Sequence, residues 1–151
     1  MDYQSILNEI ADEIRPLLKS GKVADYIPAL AEVDPEQFAM SLTLFDGTQF
    51  SVGDADTLFS IQSISKVFTF TLALKFYSTD MYKRIGREPS GNPFNSLVQL
   101  EYEHGIPRNP FINAGAINVT DALLSYYGDD GNTFREILSF IRSIAAQPAV
   151  S

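Results

Sequence analysis

Phe59-Ser60-Ile61-Gln62-Ser63-Ile64-Ser65-Lys66, running on into Val67-Phe68-Thr69-Phe70-Thr71-Leu72-Ala73-Leu74-Lys75-Phe76-Tyr77, is the stretch on which the rest of the chain turns. Ser63 and Lys66 are three residues apart, so on a helix they share one face with the serine one turn ahead. That spacing lets a lysine amine reach a serine hydroxyl, and a hydroxyl beside a positioned base is an activated nucleophile suited to acyl transfer. Spacing alone decides nothing. With 14 Ser and 5 Lys in 151 residues, chance supplies about half of one such pair. The setting adds weight. Residues 59–62 read as an extended approach, and from Ser63 onward apolar residues fall on all sides of the predicted helix, which marks it as central and buried. Burial and the positive end of the helix dipole both disfavour the ammonium form of Lys66, which suits the amine to act as a base. Nearby carboxylates would oppose this. The alternative is a Lys66 that reaches solvent along its own stem and a Ser63 that caps the helix.

Composition narrows the classes. The chain is 45% apolar and 20% charged, a globular composition with material for one core. A net charge of −8 argues against nucleic acid and against anionic membrane surfaces as partners. There is no cysteine, which excludes disulfides, thiol catalysis and thiolate metal sites. The single histidine, His104, cannot build a multi-histidine metal site, and its Glu-rich, Gly/Pro-flanked surroundings leave little room for a Ser-His-Asp triad. Met1-Asp2-Tyr3-Gln4 is unlike a signal peptide and no apolar run reaches membrane-spanning length, so a cytoplasmic protein is expected. Asn118-Val119-Thr120 matches a glycosylation sequon by chance on this reading.

Along the chain, Tyr3, Ile6, Leu7, Ile10, Ile14, Leu17 and Leu18 keep helical spacing. Asp2 is the expected N-cap, Pro16 the residue that distorts or ends the regular part, and Gly21 the stop. Residues 22–35 read as a connection. Residues 38–45 alternate, with Phe38, Met40, Leu42 and Leu44 on one face. Asp46-Gly47 is a hairpin turn signal and 48–52 the returning strand. Residues 79–116 read as irregular apart from a short helix over 81–85. Helices are expected over 116–127, closed by Gly128, and from Thr133, where Thr133-x-x-Glu136 fits a capping box. The second carries an apolar stripe of Phe134, Ile137, Leu138, Ile141 and Ile144, and Tyr126 and Tyr127 look like core. Residues 147–151 carry no stop signal.

Four segments in order resemble the bacterial and mitochondrial serine-dependent glutaminases. They are Gly21-Lys22-Val23-Ala24-Asp25-Tyr26-Ile27-Pro28, the Phe59 to Lys66 stretch, Glu88-Pro89-Ser90-Gly91, and Asn109-Pro110-Phe111-Ile112-Asn113-Ala114-Gly115-Ala116-Ile117. The resemblance spans nearly the whole chain, which looks like the N-terminal half of a glutaminase domain over residues 1–151. It implies an α+β, β-lactamase/transpeptidase-like fold, an antiparallel sheet packed against a helical cluster, here an incomplete domain. It also implies hydrolysis of L-glutamine to L-glutamate and ammonia through a serine acyl-enzyme, with no metal or organic cofactor, in a homo-oligomer (dimer or tetramer). Residue by residue, Ser63 matches the nucleophile and Lys66 the partner that takes its proton. The Ser63 N–H would form half of an oxyanion hole. Tyr26 matches a substrate-contacting tyrosine and Asn113 an asparagine at the α-amino or α-carboxylate end of the substrate. Gln62, beside the nucleophile, would line the pocket. A glutamate, a second asparagine, two tyrosines and the second oxyanion donor lie further along in the family. Taken singly, Tyr26 reads as a half-buried aromatic beside Pro28, Asn113 as a loop residue bonding its own backbone, and Gln62 as a polar strand end. Ser90-Gly91-Asn92 echoes the Ser-x-Asn element of penicillin-recognising enzymes but is explained by turn chemistry. Two other readings stay open: another serine acylase of the same fold, disfavoured by the lack of Lys-Thr-Gly, and a catalytically incomplete chain acting as a binding or assembly module.

Overall fold

The computed structural model describes residues 1–145; the expectation about 147–151 lies outside them. The chain divides into two compact units, Met1–Ser60 and Ile61–Ser151.

In the first unit, helix α1 (Tyr3–Ile14) is capped as expected. Asp2 accepts hydrogen bonds from the Ser5 N–H at 3.1 Å and the Ser5 hydroxyl at 2.8 Å. Pro16 has no N–H to continue the α ladder, and the chain tightens into a 3₁₀ helix over Arg15–Ser20. The connection after it holds one short helix, α2 (Pro28–Ala31), with Pro28 at its first position, where a fixed φ favours a helix start. Strands β1 (Ala39–Thr43) and β2 (Gln49–Gly53) pair antiparallel with Ser41 opposite Ser51. The alternation resolves as read: Met40, Leu42, Phe50 and Val52 share the less exposed face. Helix α1 lies against that hairpin, with the Tyr3 and Phe50 rings 5.7 Å apart and Gln4 Nε2 donating to the Ser51 carbonyl at 3.0 Å.

The second unit is helical. A 3₁₀ turn over Gln62–Ile64 leads into α3 (Ser65–Tyr77), followed by a 3₁₀ helix over Ser78–Lys83, α4 (Leu97–Tyr102), α5 (Asn113–Tyr127) and α6 (Asp130–Ala145). Its core gathers Phe70, Leu72 and Ala73 of α3, Met81 and Ile85 beyond it, and Val119, Ala122 and Leu123 of α5, with Ile137 and Phe140 of α6 packed on it. Burial of such side chains, at about 1.5–3 kcal/mol each for the larger ones, is what holds these helices together.

Several expectations are corrected here. The approach at 59–62 does not stay extended to its end: Ile61 is helical (φ −68°, ψ −17°) and Gln62 sits at φ +42°. The chain therefore turns sharply just before Ser63, and α3 proper begins at Ser65. That helix is buried through its middle but not at its start, where Ile64 and Val67 are half exposed. Helix α4 falls in the stretch read as irregular. Its N-cap is Ser96, whose hydroxyl accepts from the Gln99 N–H at 3.3 Å. Helix α5 starts three residues earlier than expected and closes at Gly128 (φ +91°), as read. Helix α6 starts at Asp130, with Asp129 Oδ1 accepting from the Asn132 N–H at 2.7 Å. Thr133 lies buried in its first turn and donates to the Asp129 carbonyl, so the capping-box reading fails. On α6, Phe134 and Ile144 are exposed while Phe140 packs inward. Tyr126 is half exposed, stacked on Phe76 at 4.0 Å.

Candidate functional site

Ser63 lies in the 3₁₀ turn, exposed, one turn ahead of Lys66 in the first turn of α3. The turn is tied by the Ser65 hydroxyl, which donates to the Gln62 carbonyl at 2.6 Å. A positive φ at a residue other than glycine is costly, and such residues cluster where a site needs a fixed backbone direction. Gln62 is one, immediately before the candidate nucleophile.

Lys66 is half buried. Its Nζ donates to the Phe111 carbonyl at 3.0 Å and to Asn113 Oδ1 at 2.7 Å, and lies 5.6 Å from the centre of the Phe94 ring. Both hydrogen-bond acceptors are neutral oxygens. Among the described residues, no carboxylate forms an ion pair with Lys66, and no hydrogen bond joins its Nζ to Ser63 Oγ. Asn113 is the first residue of α5, and its own N–H donates to the Phe94 carbonyl at 2.7 Å. Its reading as a loop residue bonding its own backbone is therefore replaced by a helix-start residue aimed at Lys66.

The structure thus brings Lys66 and Asn113 into direct contact and holds Ser63 one turn from the amine. Gln62 is in sequence contact with Ser63. Tyr26 belongs to the first unit and is 77% exposed, which removes the core-aromatic alternative. Ser90 is engaged as a turn residue: it accepts from the Asn92 N–H and donates to Gln99 Oε1 at 2.7 Å.

Two parts of the site escaped the sequence reading. Phe111 acts through its carbonyl and Phe94 through its ring and carbonyl, and main-chain groups leave no residue-type signal. The turn signal Asn109-Pro110 did point at the segment that carries the Phe111 carbonyl. A cavity of about 590 Å³ opens along the Asn113, Ile117, Asn118 and Asp121 side of α5, with Phe94 and Leu97 opposite. Ser63 and Lys66 are not in its lining, so it adjoins the pair rather than covering it. Among the described residues, no three His, Cys, Asp or Glu side chains gather as metal ligands would, and no helix is long and apolar enough to cross a membrane.

A family profile described as Glutaminase matches residues 21–151. A glutaminase of Aliarcobacter butzleri (strain RM4018) is 63% identical over 145 residues, covering 96% of this chain and 47% of that protein. Among solved structures, a Bacillus glutaminase in the presence of 4.3 M NaCl superposes with a TM-score of 0.80 at 26% identity, over 97% of this chain and 45% of that one. A probable glutaminase from Bacillus subtilis complexed with 6-diazo-5-oxo-L-norleucine gives 0.77 at 26% identity, over 97% and 43%. The α+β, β-lactamase-like class implied by the resemblance is the class of these structures. The chain spans about half the length of the curated relatives it matches.

Proposed function

Because this chain belongs to the glutaminase family, we propose that the whole protein hydrolyses L-glutamine to L-glutamate and ammonia, and that these residues form the N-terminal portion of its glutaminase domain. Ser63 is the nucleophile and Lys66 the proton carrier. The observation that carries this reading is the Lys66 amine held between the Phe111 carbonyl and Asn113 Oδ1, one helical turn from Ser63.

An uncharged amine has two N–H donors and one lone pair. With both donors taken by Phe111 and Asn113, the lone pair has one remaining direction in which to accept a proton. Ser63 Oγ gives its proton to Lys66 and attacks the side-chain amide carbon of glutamine, forming a C–O bond. The carbonyl oxygen becomes an oxyanion, and the Ser63 N–H supplies one donor to it. Collapse breaks the C–N bond, and Lys66 returns the proton to the departing nitrogen, releasing ammonia. Water then cleaves the ester, with Lys66 taking and returning one proton, to give glutamate and free Ser63. Tyr26, Gln62 and Asn113 contact the substrate. Since Asn113 Oδ1 faces Lys66, its Nδ2 is the atom left to donate to the substrate's α-carboxylate. The protein works without metal or organic cofactor, in the cytoplasm, as a dimer or tetramer.

The test is ammonia release from glutamine by the whole protein and by Ser63→Ala. Loss of the nucleophile lowers the rate by more than about 10³-fold. Undiminished release by the variant rejects the mechanism. Covalent labelling of Ser63 by penicillin would favour the other serine acylases instead, and glutamine binding without turnover would favour a binding module.

A further inference from the structure

Asn109 is a half-buried side chain to which the mechanism above assigns nothing, yet its hydrogen bonds converge on the site. Its Oδ1 accepts from the Phe111 N–H at 2.9 Å and from the Ile112 N–H at 3.1 Å. Its Nδ2 donates to the Glu88 carbonyl at 2.9 Å. One amide thus closes the 109–112 turn from inside and pins it to the 86–92 loop from outside. The loop is held further by the Glu88 N–H to the Arg108 carbonyl and the Gly86 N–H to the Pro107 carbonyl. Behind the turn, Asn109 and Pro110 press on the bare backbone of Gly115 in the first turn of α5. The turn has little freedom to slide.

With the Phe111 and Ile112 N–H groups both drawn inward to Asn109, the Phe111 carbonyl is left directed outward, and it is this carbonyl that accepts from Lys66 Nζ at 3.0 Å. We propose that Asn109 is a positioning residue for Lys66, acting through the Phe111 carbonyl to fix the direction in which the amine exchanges its proton. The proposal rests on the reading of Lys66 as proton carrier. Without the Asn109 acceptor, two N–H groups lose their partner, the turn relaxes, and one of the amine's two anchors moves. A displacement on the order of 1 Å at a proton-transferring group is enough to cost up to about 10²-fold in rate.

The experiment compares the whole protein with Asn109→Ala and Asn109→Asp. Aspartate keeps an oxygen for both N–H groups, but it replaces the donation to the Glu88 carbonyl with a charged acceptor. Alanine should lower kcat by about 10- to 100-fold with KM changed by less than about 3-fold, and aspartate should restore most of kcat. A wild-type kcat in Asn109→Ala, a loss confined to KM, or an equal loss in both variants overturns the proposal. A merely structural role predicts loss of folded protein with unchanged kcat per folded molecule, which the folded fraction measured by chemical denaturation reads directly. A crystal structure of Asn109→Ala decides the geometry without any turnover: the Phe111–Lys66 hydrogen bond should be broken, and its retention overturns the proposal even if glutamine proves not to be the substrate. If Asn109→Ala does not fold, Asn109→Ser, whose hydroxyl reaches only one of the two N–H groups, takes its place in both measurements.

Discussion

Replacing Gly115 by alanine tests the packing that fixes the site. A Cβ at this position would stand 1.9 Å from the Asn109 carbonyl oxygen and 2.9 Å from both the Asn109 carbonyl carbon and Pro110 Cα. These are backbone atoms, so no side chain can swing aside to make room. Opening the shortest approach from 1.9 Å to about 3.0 Å requires the 109–110 backbone and α5 to part by about 1.1 Å. Overpacking of this kind costs about 1–3 kcal/mol, while alanine in place of a helical glycine returns about 0.5–1 kcal/mol. The net expectation is destabilisation centred on about 1 kcal/mol and at most about 2.5 kcal/mol. The functional effect is larger. Phe111 and Asn113 flank the clash on either side and together hold Lys66 at 3.0 and 2.7 Å. A separation of about 1 Å between them takes at least one anchor out of hydrogen-bond range, for an expected fall of about 10²-fold in kcat. Urea denaturation and initial rates of ammonia release at saturating glutamine read the two effects separately. A Gly115→Ala protein as stable as the wild type and equally active would refute both the close approach and its link to Lys66.

Ser96→Ala removes the α4 cap and should destabilise the protein by about 0.5–2 kcal/mol, read by chemical denaturation, with the effect local to α4 in hydrogen exchange at the Gln99 amide. Asp2→Ala bears on pH dependence. The backbone and hydroxyl hydrogen bonds from Ser5 hold the Asp2 carboxyl below its ordinary value of 3.8. A lowered carboxyl contributes stability that is fully present above 3.8 and is lost as pH falls through the folded-state value. The melting difference between wild type and Asp2→Ala should therefore hold steady from neutral pH down to about pH 4 and narrow below it. A gap that widens in acid would contradict the assignment.

What the sequence made legible was local. The hairpin needs only the alternation of Met40 and Leu42 around Asp46-Gly47, and the end of α5 needs only Gly128. Where local signals competed, the sequence did not rank them. Both Asp129 and Thr133 are capping types, and the structure gives the cap to Asp129. Ser96-x-x-Gln99 is itself a capping-box spacing, yet the turn residues at 89–93 and 105–110 on either side hid a helix of six residues. The partners of Lys66 were a harder case. They lie 45 and 47 residues away, and one of them is a main-chain oxygen, so only the folded chain shows them. Helix α3 shows a different limit. Its apolar residues on every side correctly signalled a need for cover, but a hydrophobic pattern states the need and not the neighbour that meets it. The described residues cover Phe70, Leu72 and Ala73 and leave Ile64 and Val67 half exposed. Those two lie beside Ser63 and Lys66, so the open apolar surface and the proposed serine–lysine pair meet where the 3₁₀ turn runs into α3. A substrate amide at that open end would meet bulk water, which weakens every electrostatic contact made to it, so the turnover proposed above belongs to the whole protein.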